Sequence, residues 1–577
     1  MLSKLYLIQR YPIFYSWVTT LCISFLLCLV VSPTQTYISE YDVIFAWGTM
    51  GIFIASVIVG LVSNISYASK DATSGVNWLD VLVGIGSLYY ILHTCLKGTY
   101  PCEISYLKFI QLVILYFSLR YIMSRSNWSS SWINCSIIFC VVYEGGLGIY
   151  QALSGTSRHH LYLLTGSFQN PGPYSAMLLM GTVIGLIWLL EMKKGRYKKL
   201  LMVLVTFMFS LLPATMSRAA FVSFIFIILY VFKKHYWQWR WYIWLMCIIV
   251  LIIIYYLKQG SADGRLLIWI ASLTMCKYHP WVGVGLGGSQ QTISNGIAEL
   301  YTMYPNSSLF NSGGVTKYAF NDLLTIFVEY GAIGLCICIS IIISVLYILR
   351  QHNKALFYGI LSILLFSLFS YPFELLPFQI IIVIVTAWVA SIHKQTFIKK
   401  LSHRWVTLLL FLILPMYMIA KKISMRYDAD KNYQTFAGIT NEAFIKDYYK
   451  LLPLENENAG FLFDFAKALR NCGRYRDSNA ILRMGTKVST DPMFYVIMGN
   501  NYKDEGLYEL AEWAYVKAFA IMPNRMYPLY QLMRLYECTG DMAKCKTFAH
   551  RIIAIKPKIE SLATEEMRKH AVMMTHQ

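Results

Sequence analysis

Charge is scarce in this sequence: of 577 residues 14% are Asp, Glu, Lys or Arg, whereas 57% are hydrophobic. A soluble enzyme of this length covers itself with charge, so the composition excludes that class. Acidic residues are the scarcer sign, 30 against 50 basic ones, and no acidic or His/Cys cluster has the spacing of a metal site. No metal or other cofactor is therefore expected. The 13 cysteines are scattered, many of them in apolar runs (Cys22, Cys28, Cys135, Cys140, Cys247, Cys336, Cys338), and read as small core residues. Cys95 and Cys102 flank one loop, where a disulfide is an option. The first apolar run is long and lacks a small-residue cleavage site, so it reads as an uncleaved span rather than a signal peptide. Nucleic-acid binding is excluded despite a net charge of +20, because the excess sits in short loops beside apolar runs, where lipid headgroups account for it.

What remains is a membrane protein. A spanning helix needs about 20 apolar residues, because unpaired backbone groups in hydrocarbon cost several kcal/mol each. About thirteen runs qualify, near 13–33, 43–64, 78–96, 104–123, 132–152, 174–192, 199–216, 217–232, 241–257, 323–349, 355–373, 376–392 and 405–421. Basic loops at 193–199, 233–240, 350–354 and 393–404, with Lys4 and Arg10, fall on one side, which is read as cytoplasmic. The alternate loops, including the long one at 258–320, then face outward. The expected fold is all-α: a polytopic bundle of about 12–14 spans over residues 1–425, followed by a soluble helical domain over 426–577.

Within that second domain, Tyr495, Gly499, Tyr502, Ala511, Tyr515, Ala518 and Pro523 fit the spacing of a 34-residue helix-turn-helix repeat of tetratricopeptide type. Gly473, Gly506 and Gly540 recur at one period. Such a stack offers a face to a protein partner or serves as a platform for the bundle; the spacing supports both.

The outward loops carry the chemistry. Asn170 to Pro173 form a rigid turn that leads into a span; Ser217-Arg218 stands at the end of a short span; Arg265 and Trp269 share a helix face before His279-Pro280 and a glycine-rich turn. Asn321 and Asp322 open a long span that carries Glu329 and Gly331 in its first half. Glu144 lies in another span. Ionisable groups at such depth face cavities, partners or water.

These four stretches together resemble the O-antigen ligase and polymerase superfamily of polytopic glycosyltransferases, with motifs over roughly 150–350. The resemblance implies a multi-pass protein of the cytoplasmic membrane. Its donor is a glycan on undecaprenyl diphosphate, and its acceptor is lipid A core, a protein hydroxyl or, for a polymerase, another lipid-linked glycan. Arg218 and Arg265 are the expected diphosphate clamp, since a guanidinium stays charged and binds two phosphate oxygens at once. Arg158 is a further diphosphate contact or a solvated loop charge. Asn170, Asn321, Glu329 and Glu144 are expected to line the site. Ligases often carry His-Asn where this chain has Phe320-Asn321, and Phe cannot take a proton. Asp322 and His279 are the candidate bases for an inverting, metal-independent transfer. A non-enzymatic transporter of the same lipid is the alternative from a different class; it calls for inverted repeats or broken helices, and hydropathy shows neither.

Overall fold

A computed structural model of the chain describes all residues except 1, 32–37, 66–74, 99–101, 127, 158, 160–161, 169, 235–236, 258, 394–409, 556–559 and 577. The described residues form helices and no strand. In chain order the bundle comprises α1 (Leu2–Val30), α2 (Ile38–Ile65), α3 (Trp78–Lys97), α4 (Glu103–Met123), α5 (Ser130–Ser154), α6 (Pro171–Glu191), α7 (Arg196–Leu211), α8 (Arg218–Phe232) and α9 (Arg240–Leu257). Next come α10 (Gln259–Cys276), α11 (Ser289–Met303), α12 (Asp322–His352), α13 (Lys354–Ser367), α14 (Leu376–Ile392) and α15 (Ile413–Gln434). Among the described residues, seven helices are long and apolar enough to cross a membrane, and α8, α13, α14 and the Phe14–Val30 part of α1 are shorter apolar helices. The run expected at 405–421 lies partly outside the described residues.

The bundle is built around α6, whose residues from Pro173 to Gly185 are buried on every side. A helix apolar all round belongs at the centre of such a fold. In lipid the hydrophobic effect does not drive helices together, so close backbone approach does more of the work. Accordingly, a Cβ on Gly181 would lie 2.6 Å from Val141 of α5, and one on Gly359 of α13 would lie 2.3 Å from Ile184 of α6. Near the start of α3 an ion pair is sealed in the bundle: Asp80 caps its own helix through Asn77, accepts from the Tyr116 hydroxyl at 2.8 Å and pairs with Arg120 at 3.3 Å. Cys95 and Cys102 are free thiols, so the optional disulfide is not formed.

One expectation is corrected. The run at 323–349 looks continuous, yet α12 is interrupted at Gly331 (φ 65°, ψ −168°). The segment after α10 repairs the gap. Val284 and Gly285 donate their N–H groups to the carbonyls of Val328 and Glu329, both at 3.0 Å, while Ala332 and Ile333 donate to Pro280 (2.9 Å) and Trp281 (3.2 Å). Four of the groups freed at the break thus take backbone partners, and the Tyr330 carbonyl accepts from the Tyr89 hydroxyl at 2.8 Å, as a low-dielectric setting demands. Both glycines are obligatory: a Cβ on Gly331 would meet the Trp281 carbonyl oxygen at 2.2 Å, and one on Gly283 would meet that of Glu329 at 2.5 Å. His93 of α3 secures the same segment through a 2.6 Å bond from Nε2 to the Val282 carbonyl.

Residue 425, the expected boundary, falls inside α15. The first half of this helix packs Met416, Ala420 and Ile423 against Ala46, Phe53 and Val57 of α2, and its second half sends Ala429 and Tyr433 into a separate core. That core belongs to α16 (Ile445–Glu455), the antiparallel pairs α17 (Ala459–Asn471) with α18 (Tyr475–Val488), α19 (Met493–Asp504) with α20 (Tyr508–Ile521), α21 (Met526–Thr539) with α22 (Met542–Ala554), and α23 (Leu562–His576). Gly473, Gly506 and Gly540 make the left-handed turn within each pair. The stack rests on α11 of the 258–320 segment through α18 and α20.

Candidate active site

Four helix termini converge at one end of the bundle. The Gly166–Pro171 turn reaches it because α5 grips the turn: Glu144 accepts from the Ser167 amide (2.9 Å) and hydroxyl (2.6 Å), and Gln151 binds the Gly166 carbonyl at 2.7 Å. Gly166 is left-handed (φ 57°), and its Cβ position lies 2.3 Å from Glu144 Oε2, so glycine is required there. Asn170 then caps α6 by accepting from the Gly172 amide at 2.9 Å, with Pro171 at the first helical position. Its amide nitrogen points the other way and donates to the Tyr371 hydroxyl at 3.3 Å.

Arg218 is the first residue of α8, entered through a short turn, Pro213–Thr215, and a left-handed Met216. A cation at a helix N-terminus opposes the helix dipole at a cost of roughly 0.3–1 kcal/mol. Arg265 approaches from α10. Its spacing from Trp269 sets both on one face, and Trp269 donates its indole N–H to the Ala319 carbonyl at 3.0 Å, pinning the irregular segment that ends at Phe320. The Arg265 guanidinium carbon stands 5.1 Å from the Phe320 ring centre. Burial, with the Arg218 charge adding to it, pushes the Arg265 guanidinium down to about 10, and the nearby Tyr371 phenol acts in the opposite direction. The two arginines therefore lie close enough for their charges to oppose each other. No carboxylate lies within ion-pair distance of Arg265 among the described residues.

Tyr371, between α13 and α14, is the hub of the site and escaped the sequence reading. It stacks on Tyr318 (centroids 3.9 Å apart, 10° between planes), meets the edge of Phe320 at 5.5 Å and receives the Asn170 bond. Burial pushes its phenol up, while Arg265 and the Asn170 bond hold it down. Phe320 occupies the left-handed region (φ 54°), which costs a non-glycine residue of order 1–3 kcal/mol. The residue in the expected histidine position thus forms an aromatic wall beside Arg265. Asn321 caps α12 by accepting from Leu324 at 3.1 Å, and Asp322, buried, accepts from the Phe373 amide at 3.1 Å. That bond fixes the turn Pro372–Glu374. Glu374 is open to solvent yet surrounded by protein, which pushes its carboxyl above the usual range against the pull of Lys317 and Lys108. Only its place in the short 374–375 loop, on the same side as the arginines, could have pointed to it.

Other expected residues lie apart. His279 is exposed and bonds through its backbone, to Cys276 and Gly283. Glu329 accepts from the Gly287 amide at 3.1 Å and from Ser289, so it caps α11 and ties that helix to the break in α12. Glu144 serves the 166–167 turn. Arg158 lies outside the described residues; Tyr162, close by in sequence, sits near Arg218. No group of three or more potential metal ligands occurs among the described residues.

The two arginines thus stand where helix termini converge in a multi-pass helical bundle. The family model described as O-antigen ligase matches residues 202–339, from α7 through the break in α12, which includes both arginines and Phe320-Asn321. Over that stretch the chain is similar to the O-antigen ligase family. No curated protein matches it. A solved structure titled "Crystal structure of MamA protein" is similar at 21% identity, covering 27% of this chain and 89% of that one, with a TM-score of 0.21, too low to carry an argument.

Proposed function

We propose that the protein transfers a glycan from undecaprenyl diphosphate to lipid A core or a protein hydroxyl at the outer face of the cytoplasmic membrane, with Arg218 and Arg265 as the diphosphate clamp. The observation that carries this reading is the Arg265 guanidinium, held half-buried beside a second cation with no carboxylate at ion-pair distance among the described residues. Like charges brought together at such cost call for an anion, and the amides opening α8 add to the same field.

In this reaction the acceptor oxygen attacks the anomeric carbon as its bond to the diphosphate breaks on the opposite face, inverting the configuration. The charge released onto the diphosphate falls to Arg218 and Arg265, already oriented, so little reorganisation is needed. Asn170 and Tyr371 form the wall that orients the sugar. We assign the acceptor's proton to Glu374 in preference to Asp322, whose Oδ2 is committed to the Phe373 amide. His279 stays a weaker candidate because its described contacts are those of a helix-ending loop.

The break in α12 is the one observation that favours a transporter, since such proteins bind cargo at unwound helices. Here Val328, Glu329, Ala332 and Ile333 are already paired with residues 280–285 and the Tyr330 carbonyl with Tyr89, which argues against a ligand site at the break. Reconstitution with undecaprenyl-diphosphate glycan, supplied separately with lipid A core, acceptor protein or a second lipid-linked glycan, tests the proposal. Transfer to either of the first two supports it; elongation alone shows a polymerase, and movement of intact donor without transfer shows a transporter.

A further inference from the structure

The helix pairs after α15 touch the bundle at more than a platform surface. Two of the turns that join successive pairs carry one buried polar residue each, and both spend their hydrogen bonds on the main chain of the segment leading into the arginine site. Thr490, between α18 and α19, accepts from the Thr316 amide and donates to the Thr316 carbonyl, each at 2.9 Å. Asn524, between α20 and α21, donates from one amide nitrogen to the carbonyls of Asn311 (3.0 Å) and Gly313 (2.9 Å). Thr490 is 3% and Asn524 6% exposed, so neither can exchange these partners for water.

The contacts continue inward from Thr316. Its hydroxyl donates to the Tyr318 carbonyl at 2.7 Å and accepts from the Tyr318 amide at 3.2 Å. Tyr318 stacks on Tyr371, and two residues later Phe320 lies against Arg265. The base of the segment is clamped independently: Tyr301 of α11 is wedged edge-on against Phe310 and Phe519, and its hydroxyl accepts from Arg551 at 3.1 Å. The sequence 311–320 has no regular structure to hold it beyond a short 3-10 turn, Ser308–Ser312. Its shape is imposed from outside.

We propose that Thr490 and Asn524 are positioning residues for glycan transfer: by holding Thr316 and Asn311–Gly313 respectively, they set Tyr318 and Phe320 against Tyr371 and Arg265, which makes the C-terminal helix pairs part of the donor site. This rests on the reading of the arginines as the clamp. Near-attack geometry is steep, and an error of about 1 Å in a site wall costs on the order of 100-fold. Thr490→Val keeps the shape and removes both bonds; Thr490→Ser keeps both. Asn524→Asp keeps the shape and removes the donor.

The test uses the full chain in proteoliposomes, with steady-state transfer and hydrogen exchange of the 311–321 peptide measured on the same preparations. Thr490→Val and Asn524→Asp are expected to lower kcat 10- to 100-fold with KM for the donor lipid changed less than threefold, and to speed exchange in 311–321 but not in α6. Thr490→Ser is expected to restore both readouts to within about twofold of wild type. Wild-type kcat in Thr490→Val and Asn524→Asp overturns the proposal whatever the exchange shows, as does a loss of kcat that Thr490→Ser shares. A failure of the clamp reading is seen separately, as full transfer by Arg265→Ala.

Discussion

Arg265→Ala separates a functional charge from a structural one. In the free protein this guanidinium is held down at about 10 against an ordinary 12.5, by burial first and Arg218 second. At about 1.4 kcal/mol per tenfold in proton affinity, the charged form is disfavoured by roughly 3 kcal/mol. Solvent at the partly open mouth trims that figure, but the sign is clear: the fold is strained by this charge. A donor diphosphate reverses the sign, and removal of one preorganised electrostatic contact costs about 3–4 kcal/mol in the transition state. Arg265→Ala is therefore expected to lose 100- to 1,000-fold in kcat for transfer while Tm stays level or rises. Arg265→Lys, which keeps charge without the planar fork, should fall between. The assay is steady-state transfer in proteoliposomes, paired with thermal unfolding in detergent. A Tm that falls in step with activity would refute the reasoning, because it would mean that the arginine holds the fold together.

Other outcomes follow from the same geometry. Tyr371→Phe keeps the stack on Tyr318 and loses the bond from Asn170, worth about 1 kcal/mol, so kcat/KM should fall about fivefold, and Tyr371→Ala at least tenfold more. Glu374 is held above the ordinary carboxylate range by its surroundings, so it accepts protons only as pH rises through that elevated value; the acid limb of the wild-type rate profile should vanish in Glu374→Gln, and persistence of the limb would remove Glu374 from the proton's path. Gly331→Ala sets a methyl 2.2 Å from the Trp281 carbonyl oxygen at a positive φ, and folded protein recovered by gel filtration should drop to a small fraction of wild type. Ser261→Cys should react with a membrane-impermeant thiol reagent added outside intact cells; labelling only after lysis would invert the proposed orientation.

The sequence by itself determined the environment and much of the inventory. Apolar run length and the scarcity of charge dictated helices, because in lipid a backbone must bond within its own segment. Asn170-Pro171 and Asn321-Asp322 announced helix starts through local capping chemistry, and the turn glycines announced the helix pairs by their period. Arg218 and Arg265 stood out because charge there is expensive. All of these signals are local or periodic, so they survive without a structure.

Only the tertiary structure decided what meets what. Asp322, a base candidate by its position, is committed to the Phe373 amide; Glu144 and Glu329 serve the loops that they brace; Tyr371, ordinary in sequence, joins Asn170, Tyr318 and Phe320 beside Arg265. The break at Gly331 was hidden for the same reason: hydropathy counts apolar side chains, whereas continuity of a helix depends on which backbone groups pair, and here residues 280–285, about fifty positions away, supply the partners. A site assembled from four helix ends is written in long-range contacts, and no window along the chain contains them.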